Sequence, residues 1–209
     1  VIIAMLGLPG AGKSTLARAL AELLDADALL EPDEAQWPEF VVHPHVNGAF
    51  TRLSWFRSQR VPLYYAAKDS AARGHAAILD SYYDKWCVGW LGRPGLEWLI
   101  EPDDPYMPVA RQMASTDHEQ LPAADVVIML EIDEQQWLEQ LASRGRVIDR
   151  HDPFLRSHRS QAHFVETALE FGPRDGTVVI RHLRARVPPR DEARQLLEKL
   201  QQRGFAAES

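Results

Sequence analysis

Gly7-Leu8-Pro9-Gly10-Ala11-Gly12-Lys13-Ser14-Thr15 has the spacing G-x-x-x-x-G-K-[S/T], with an apolar run from Val1 to Leu6 before it and a helix-like stretch from about Lys13 after it. Glycines at positions 7, 10 and 12 permit backbone turns closed to other residues. Successive N–H groups between Gly7 and Thr15 can therefore point at phosphates while the next helix presents its positive end. Lys13 is expected to reach the β- and γ-phosphates, and the Ser14 hydroxyl to ligate Mg²⁺. A chance glycine-rich turn rarely comes with strand, full motif and helix in register. The expected ligands are a nucleoside triphosphate, ATP, and Mg²⁺.

Two acids and a run of arginines extend this chemistry. Phosphoryl transfer needs charge screening by a metal and an acceptor hydroxyl held in line, with a carboxylate placed to take its proton. Asp80, directly after an apolar run, is expected on the metal side, and Glu31 on the acceptor side. The bland alternative is that acids gather at solvated strand ends. In Ser143-Arg144-Gly145-Arg146-Val147-Ile148-Asp149-Arg150, guanidinium groups surround a glycine hinge. Such a segment can close as a lid, stabilise charge on the transferring phosphoryl oxygens and exclude water. Standing alone it would read as a helix end where cations suit the dipole; beside a phosphate loop, Arg144 and Arg146 are expected in the lid.

The elements that must position these residues alternate. Candidate strands are Val1 to Leu6, Ala28 to Leu30, Ala76 to Leu79, Val126 to Leu130 and Val178 to Ile180. Candidate helices are Lys13 to Leu24, about Ala49 to Ala72, Tyr83 to Leu91, Tyr106 to Ser115, Glu134 to Ser143, Pro153 to Phe171 and Arg190 to Gln202. Alternation of this kind predicts a three-layer α/β fold, a five-stranded parallel sheet flanked by helices, with the site at the carboxyl ends of the strands.

The 209 residues suffice for one domain with a substantial core, and no linker-like segment divides them. With 23 basic against 30 acidic residues the net charge is −7, which argues against a coat for nucleic acid or an anionic membrane. A single cysteine, Cys87, excludes an internal disulfide and reads as packing rather than a nucleophile. That suits a reducing cytoplasm. No apolar stretch is long enough to span a bilayer. A start at Val1 rather than Met suggests trimming.

The phosphate loop, Glu31-Pro32 with Trp37 shortly after, Asp80 after the third strand, and Arg144-Gly145-Arg146 together resemble the deoxynucleoside kinases, within the wider nucleoside and nucleotide kinase fold. The resemblance runs from residue 1 to about 170 and includes the Leu121-Pro122-Ala123-Ala124-Asp125 approach to the fourth strand. With the absence of a dividing linker, the expectation is a single P-loop kinase domain over 1–209 with a lid at about 144–152. The resemblance also implies that Glu31 acts as base toward a nucleoside 5′-hydroxyl and that Asp149 holds the sugar 3′-hydroxyl. The long aromatic-rich helix after Ala49 is a candidate homodimer face, as helices are in that family. Two departures stand out. Ser81 follows Asp80 where the family has an arginine, leaving Arg52, Arg57 or Lys85 as substitutes. The base-reading glutamine is displaced, Trp55-Phe56-Arg57 taking its place with Gln59 two positions on.

Trp37, Trp55, Phe56, Tyr64 and Tyr65 fall where an aromatic slot for a flat base is expected, though each taken singly is equally a core residue. After the last strand, Arg184 or Arg186 is a candidate neighbour of adenine, a solvated turn being the commoner outcome. The expected activity is an ATP-dependent kinase of a nucleoside or deoxynucleoside hydroxyl. The alternatives are a kinase of a nucleoside monophosphate, sugar, antibiotic or other metabolite, or a nucleotide-dependent switch.

Overall fold

The computed structural model of the chain describes residues 1–42, 48–82, 91–92, 100–144, 157–170 and 176–205. Five parallel strands, β1 (Ile2–Gly7), β2 (Asp27–Leu29), β3 (Ala77–Leu79), β4 (Val126–Glu131) and β5 (Val178–Leu183), form one sheet in the order β2-β3-β1-β4-β5. The described helices are α1 (Lys13–Leu24), α2 (Glu39–Val42), α3 (Ala49–Ala72), α4 (Met107–Gln120), α5 (Glu134–Arg144), α6 (His158–Glu170) and α7 (Pro189–Gln202).

β1 is central because both its neighbours pair along it, Ile3 in register with Ile78 of β3 and Val126 of β4. A strand covered on both faces must be apolar throughout, and all six residues of β1 are buried. Successive side chains alternate between two cores. Ile2, Ala4 and Leu6 enter one with residues of α3, α4, α5 and α6; Ile3 and Met5 enter the other with Leu16 and Leu20 of α1 and Ala193, Leu196 and Leu200 of α7. Helices therefore lie on both faces of the sheet, giving the three layers that the alternation predicts.

α1 and α3 have the expected bounds. α4 continues past the expected end at Ser115 to Gln120, and α2 was not foreseen. The helix expected at Tyr83 to Leu91 and Cys87 within it lie outside the described residues, as does the start of the one expected at Pro153. No helix among the described residues is long and apolar enough to cross a membrane.

Candidate functional site

The turn from β1 into α1 carries the loop. Gly10 and Gly12 have φ of 84° and 80°, a region in which only glycine is at ease. Neighbours close the space as well: a Cβ on Gly10 would stand 2.7 Å from a methyl carbon of Leu141 and 3.6 Å from the Arg144 guanidinium carbon. Arg144, at the end of α5, thus lies against the loop. Trp137 of α5 is fully buried and donates its indole N–H to the Pro9 carbonyl at 2.8 Å, pinning the loop from below. Ala11 is buried with its N–H on the Leu8 carbonyl at 3.0 Å, whereas Thr15 is exposed.

Lys13 curls back into this loop, its ammonium donating to the carbonyls of Gly7 at 2.9 Å and Leu8 at 3.0 Å. Burial lowers its pKa from 10.5 to about 8; Glu31 and Asp80 pull it up, and Arg144 and Arg60 push it down.

Asp80 follows β3 directly and is 4% exposed. Its Oδ2 accepts the Ser14 hydroxyl at 2.6 Å, and its Oδ1 accepts the Glu31 N–H at 3.0 Å. One carboxylate therefore joins the phosphate loop to the segment after β2. Burial, then the charge of Glu31, raises the Asp80 pKa, against the hydrogen bonds from Ser14 and the Glu31 backbone and the charge of Lys13. Ser14 and Asp80 present two hard oxygens side by side, a donor set that fits Mg²⁺.

Glu31 is held differently. Burial would raise its pKa, but the charge and hydrogen bond of Arg60, the Ser81 hydroxyl and Lys13 outweigh burial and leave it below the ordinary carboxylate range. Arg60, from the middle of α3, donates Nε to Glu31 Oε1. It is not among the residues expected to replace a cation after Asp80. Of the substitutes proposed for it, Arg57 instead forms a fork on Asp117 of α4, both contacts 2.7 Å, and Lys85 lies outside the described residues.

The Arg60 guanidinium lies 4.9 Å from the centre of the Phe56 ring, which meets Trp37 edge-on at 5.2 Å and Trp55 at 5.0 Å. The Trp37 indole N–H donates to the Pro32 carbonyl at 3.2 Å. Aromatic wall, Arg60 and Glu31 are therefore contiguous. Gln59 is half-buried, its amide donating to the Ser58 hydroxyl. Tyr64 and Tyr65 do not join this wall. Tyr64 is a core residue whose hydroxyl reaches the Ser81 carbonyl at 3.4 Å, and Tyr65 points to solvent. Arg146 and Asp149, expected in the lid, lie outside the described residues.

At the far end of the loop, Arg184 is no solvated turn residue. Its side chain is 7% exposed, paired with Glu192 at 3.0 Å and 3.4 Å from the Gly12 carbonyl. Arg186 is exposed and paired with Glu139. Charge burial of this kind has no local sequence signal, because it requires the start of α7 to meet the phosphate loop.

No family model matches the chain. In sequence it is 28% identical over 178 residues to thymidylate kinase of Xanthomonas campestris pv. campestris (strain B100), the match covering 81% of this chain and 72% of the relative. In structure it superposes on deoxyadenosine kinase from M. mycoides with bound dATP at a TM-score of 0.69 and 16% identity, over 96% of this chain and 100% of that one. Thymidylate kinase from Candida albicans gives a TM-score of 0.63 at 16% identity, over 98% of this chain and 92% of that one. The chain has the P-loop kinase fold, and in fold and sequence it is similar to nucleoside and nucleotide kinases.

Proposed function

We propose that this chain is a Mg²⁺/ATP-dependent kinase that moves the γ-phosphoryl group of ATP to the 5′-hydroxyl of a nucleoside or deoxynucleoside. The observation that carries this reading is the linkage of donor and acceptor sides through Asp80, which touches Ser14 of the phosphate loop and the backbone of Glu31. In this reading the loop amides and Lys13 hold the donor phosphates, and Arg144, with Arg146 in the lid, faces the phosphoryl group. Mg²⁺ held by Ser14 and Asp80 would neutralise charge on the phosphates. Glu31 stays ionised, being held low by Arg60, so its task is to accept the acceptor hydroxyl's hydrogen bond and orient its oxygen. Strong basicity is not needed there, because the transition state for phosphoryl transfer is loose. The wall of Trp37, Trp55 and Phe56 offers a face for a flat base, and Gln59 and Asp149 are the proposed polar contacts to base and sugar.

A monophosphate acceptor is the second reading, favoured by the sequence match to thymidylate kinase. Against it, Ser81 replaces a cation, and the guanidiniums of Arg57 and Arg60 are each committed to a carboxylate. A dianionic acceptor would have to compete with those carboxylates. We take residues 1–209 as one domain, and infer a homodimer through α3, whose Tyr65 is exposed; light scattering that shows a monomer at working concentration removes that inference.

The test is ADP release with Mg²⁺/ATP against ribo- and deoxynucleosides, monophosphates and hydroxylated metabolites, with a no-acceptor control. Stimulation by a nucleoside is expected. Stimulation by monophosphates alone moves the assignment to the second reading, and brisk hydrolysis indifferent to every acceptor points to a switch.

A further inference from the structure

The cluster behind the phosphate loop has no part in the chemistry derived so far. Arg184 leaves the end of β5 and turns inward, with Nη2 3.0 Å from Glu192 Oε2. Glu192, in the first turn of α7, has no exposed side-chain surface; its Oε1 accepts the Ala185 N–H at 3.0 Å. The same oxygen lies 3.1 Å from His182 Nε2, while His182 Nδ1 lies 3.1 Å from Lys199 Nζ. His182 Nε2 is thereby placed to donate to Glu192. Burial would raise the Glu192 pKa, but His182, the Ala185 N–H and Arg184 together hold it low. Glu192 is thus a fixed anion that anchors Arg184.

A buried arginine is costly, and the protein leaves this one partly unsatisfied. Burial lowers the Arg184 pKa against the charge of Glu192, and its Nε is buried without an acceptor among the described residues. What it gains is proximity to the loop. Nη1 is 3.4 Å from the Gly12 carbonyl, which also accepts the Leu16 N–H at 3.0 Å, and a Cβ on Gly12 would stand 2.8 Å from Nη1. The Gly12 carbonyl and the Lys13 N–H belong to one peptide unit. Positive charge at the carbonyl end polarises that unit and makes its N–H a stronger donor toward an anion in the loop. At 3.4 Å the contact is long, so the effect is chiefly the field of a cation that little water screens.

We propose that Arg184 is a positioning residue for the donor triphosphate: anchored by Glu192, it orders the Gly12–Lys13 peptide and adds positive potential behind the phosphate loop, which makes the start of α7 part of the donor site. This depends on the loop binding a triphosphate, as the kinase reading holds.

The test compares wild type, Arg184→Met and the double variant Arg184→Met/Glu192→Gln, with calorimetric binding of ATP and of inorganic tripolyphosphate and a thermal midpoint for each protein. Losing the positive potential behind the loop is expected to weaken both ligands about tenfold. The double variant removes both buried charges together, while the glutamine amide oxygen still accepts the Ala185 N–H and faces His182, so the cost to stability is expected to be small. It is expected to keep its midpoint and still lose affinity, which a purely structural role would not produce. Double-variant affinity for ATP within twofold of wild type overturns the proposal, as does weakening of ATP with unchanged tripolyphosphate binding, which would place Arg184 at the base. Wild type that binds neither ligand overturns this proposal together with the kinase reading; wild-type binding with an indifferent double variant overturns this proposal alone.

Discussion

Lys13 carries its charge at the limit of what burial permits. With its pKa lowered to about 8, the free lysine is largely neutral above that pH, whereas phosphates in the loop would favour the ammonium. ATP binding at about pH 9 is therefore expected to draw up a proton, read as calorimetric heats that differ between buffers of unlike ionisation enthalpy; no uptake would remove this account. Between about 8 and 10.5 the unfolded chain holds the lysine proton that the folded one has released. This residue's contribution to stability consequently grows as pH rises through that window. For Glu31, Glu31→Gln is expected to cut turnover about 10²-fold, the cost of losing the carboxylate that orients the attacking oxygen, with ATP affinity nearly unchanged. Equal turnover would take Glu31 out of the mechanism. Arg60→Met lifts the restraint on Glu31, so burial and Asp80 raise its pKa and the acid limb of kcat/KM moves to higher pH; Arg60→Lys should restore part of the shift. Lys13, Ser14, Asp80 and Glu31 were legible because a contiguous motif and two strand ends place them. Arg60 was not, since Arg57 and Arg60 sit one turn apart on the same helix. Only the packing of α3 against β2 and α4 decides which of them meets Glu31 and which meets Asp117.

That division of labour makes α3 the element against which Glu31 and the aromatic wall are set. Arg57 ties it to α4, Arg60 to the segment after β2, and Phe56 to Trp37. Arg57→Met leaves the buried Asp117 carboxylate without its guanidinium and is expected to destabilise the fold by about 2 kcal/mol, less than a fully buried pair because Arg57 is partly exposed. Urea unfolding measures this, and an unchanged midpoint would show that water replaces the fork. The bounds of α3, with Gly48 before Ala49 and Gly74 beyond Ala72, coincide with those expected. The end of α4 does not. Past the expected end at Ser115, the Thr116 hydroxyl bonds back to the Gln112 carbonyl, and Asp117 turns inward to Arg57. Polar residues that find partners within the helix or beneath it no longer mark its end.

Across the whole molecule, alternation of apolar runs and helical stretches sufficed for a parallel sheet with helices on both faces. It did not contain the order β2-β3-β1-β4-β5, which depends on how each crossover lies. That order has a consequence for the growing polypeptide. β1 is made before the other four strands but sits in the middle, its two neighbours arriving with Ala77–Leu79 and Val126–Glu131. Until the latter is synthesised, one apolar edge of β1 has nothing to pair with, and the nascent chain carries an adhesive strand. A chain stopped just before Val126 is expected to aggregate, and one continued past Glu131 to be markedly more soluble. The phosphate loop, which directly follows β1, would thus be among the last features to take shape.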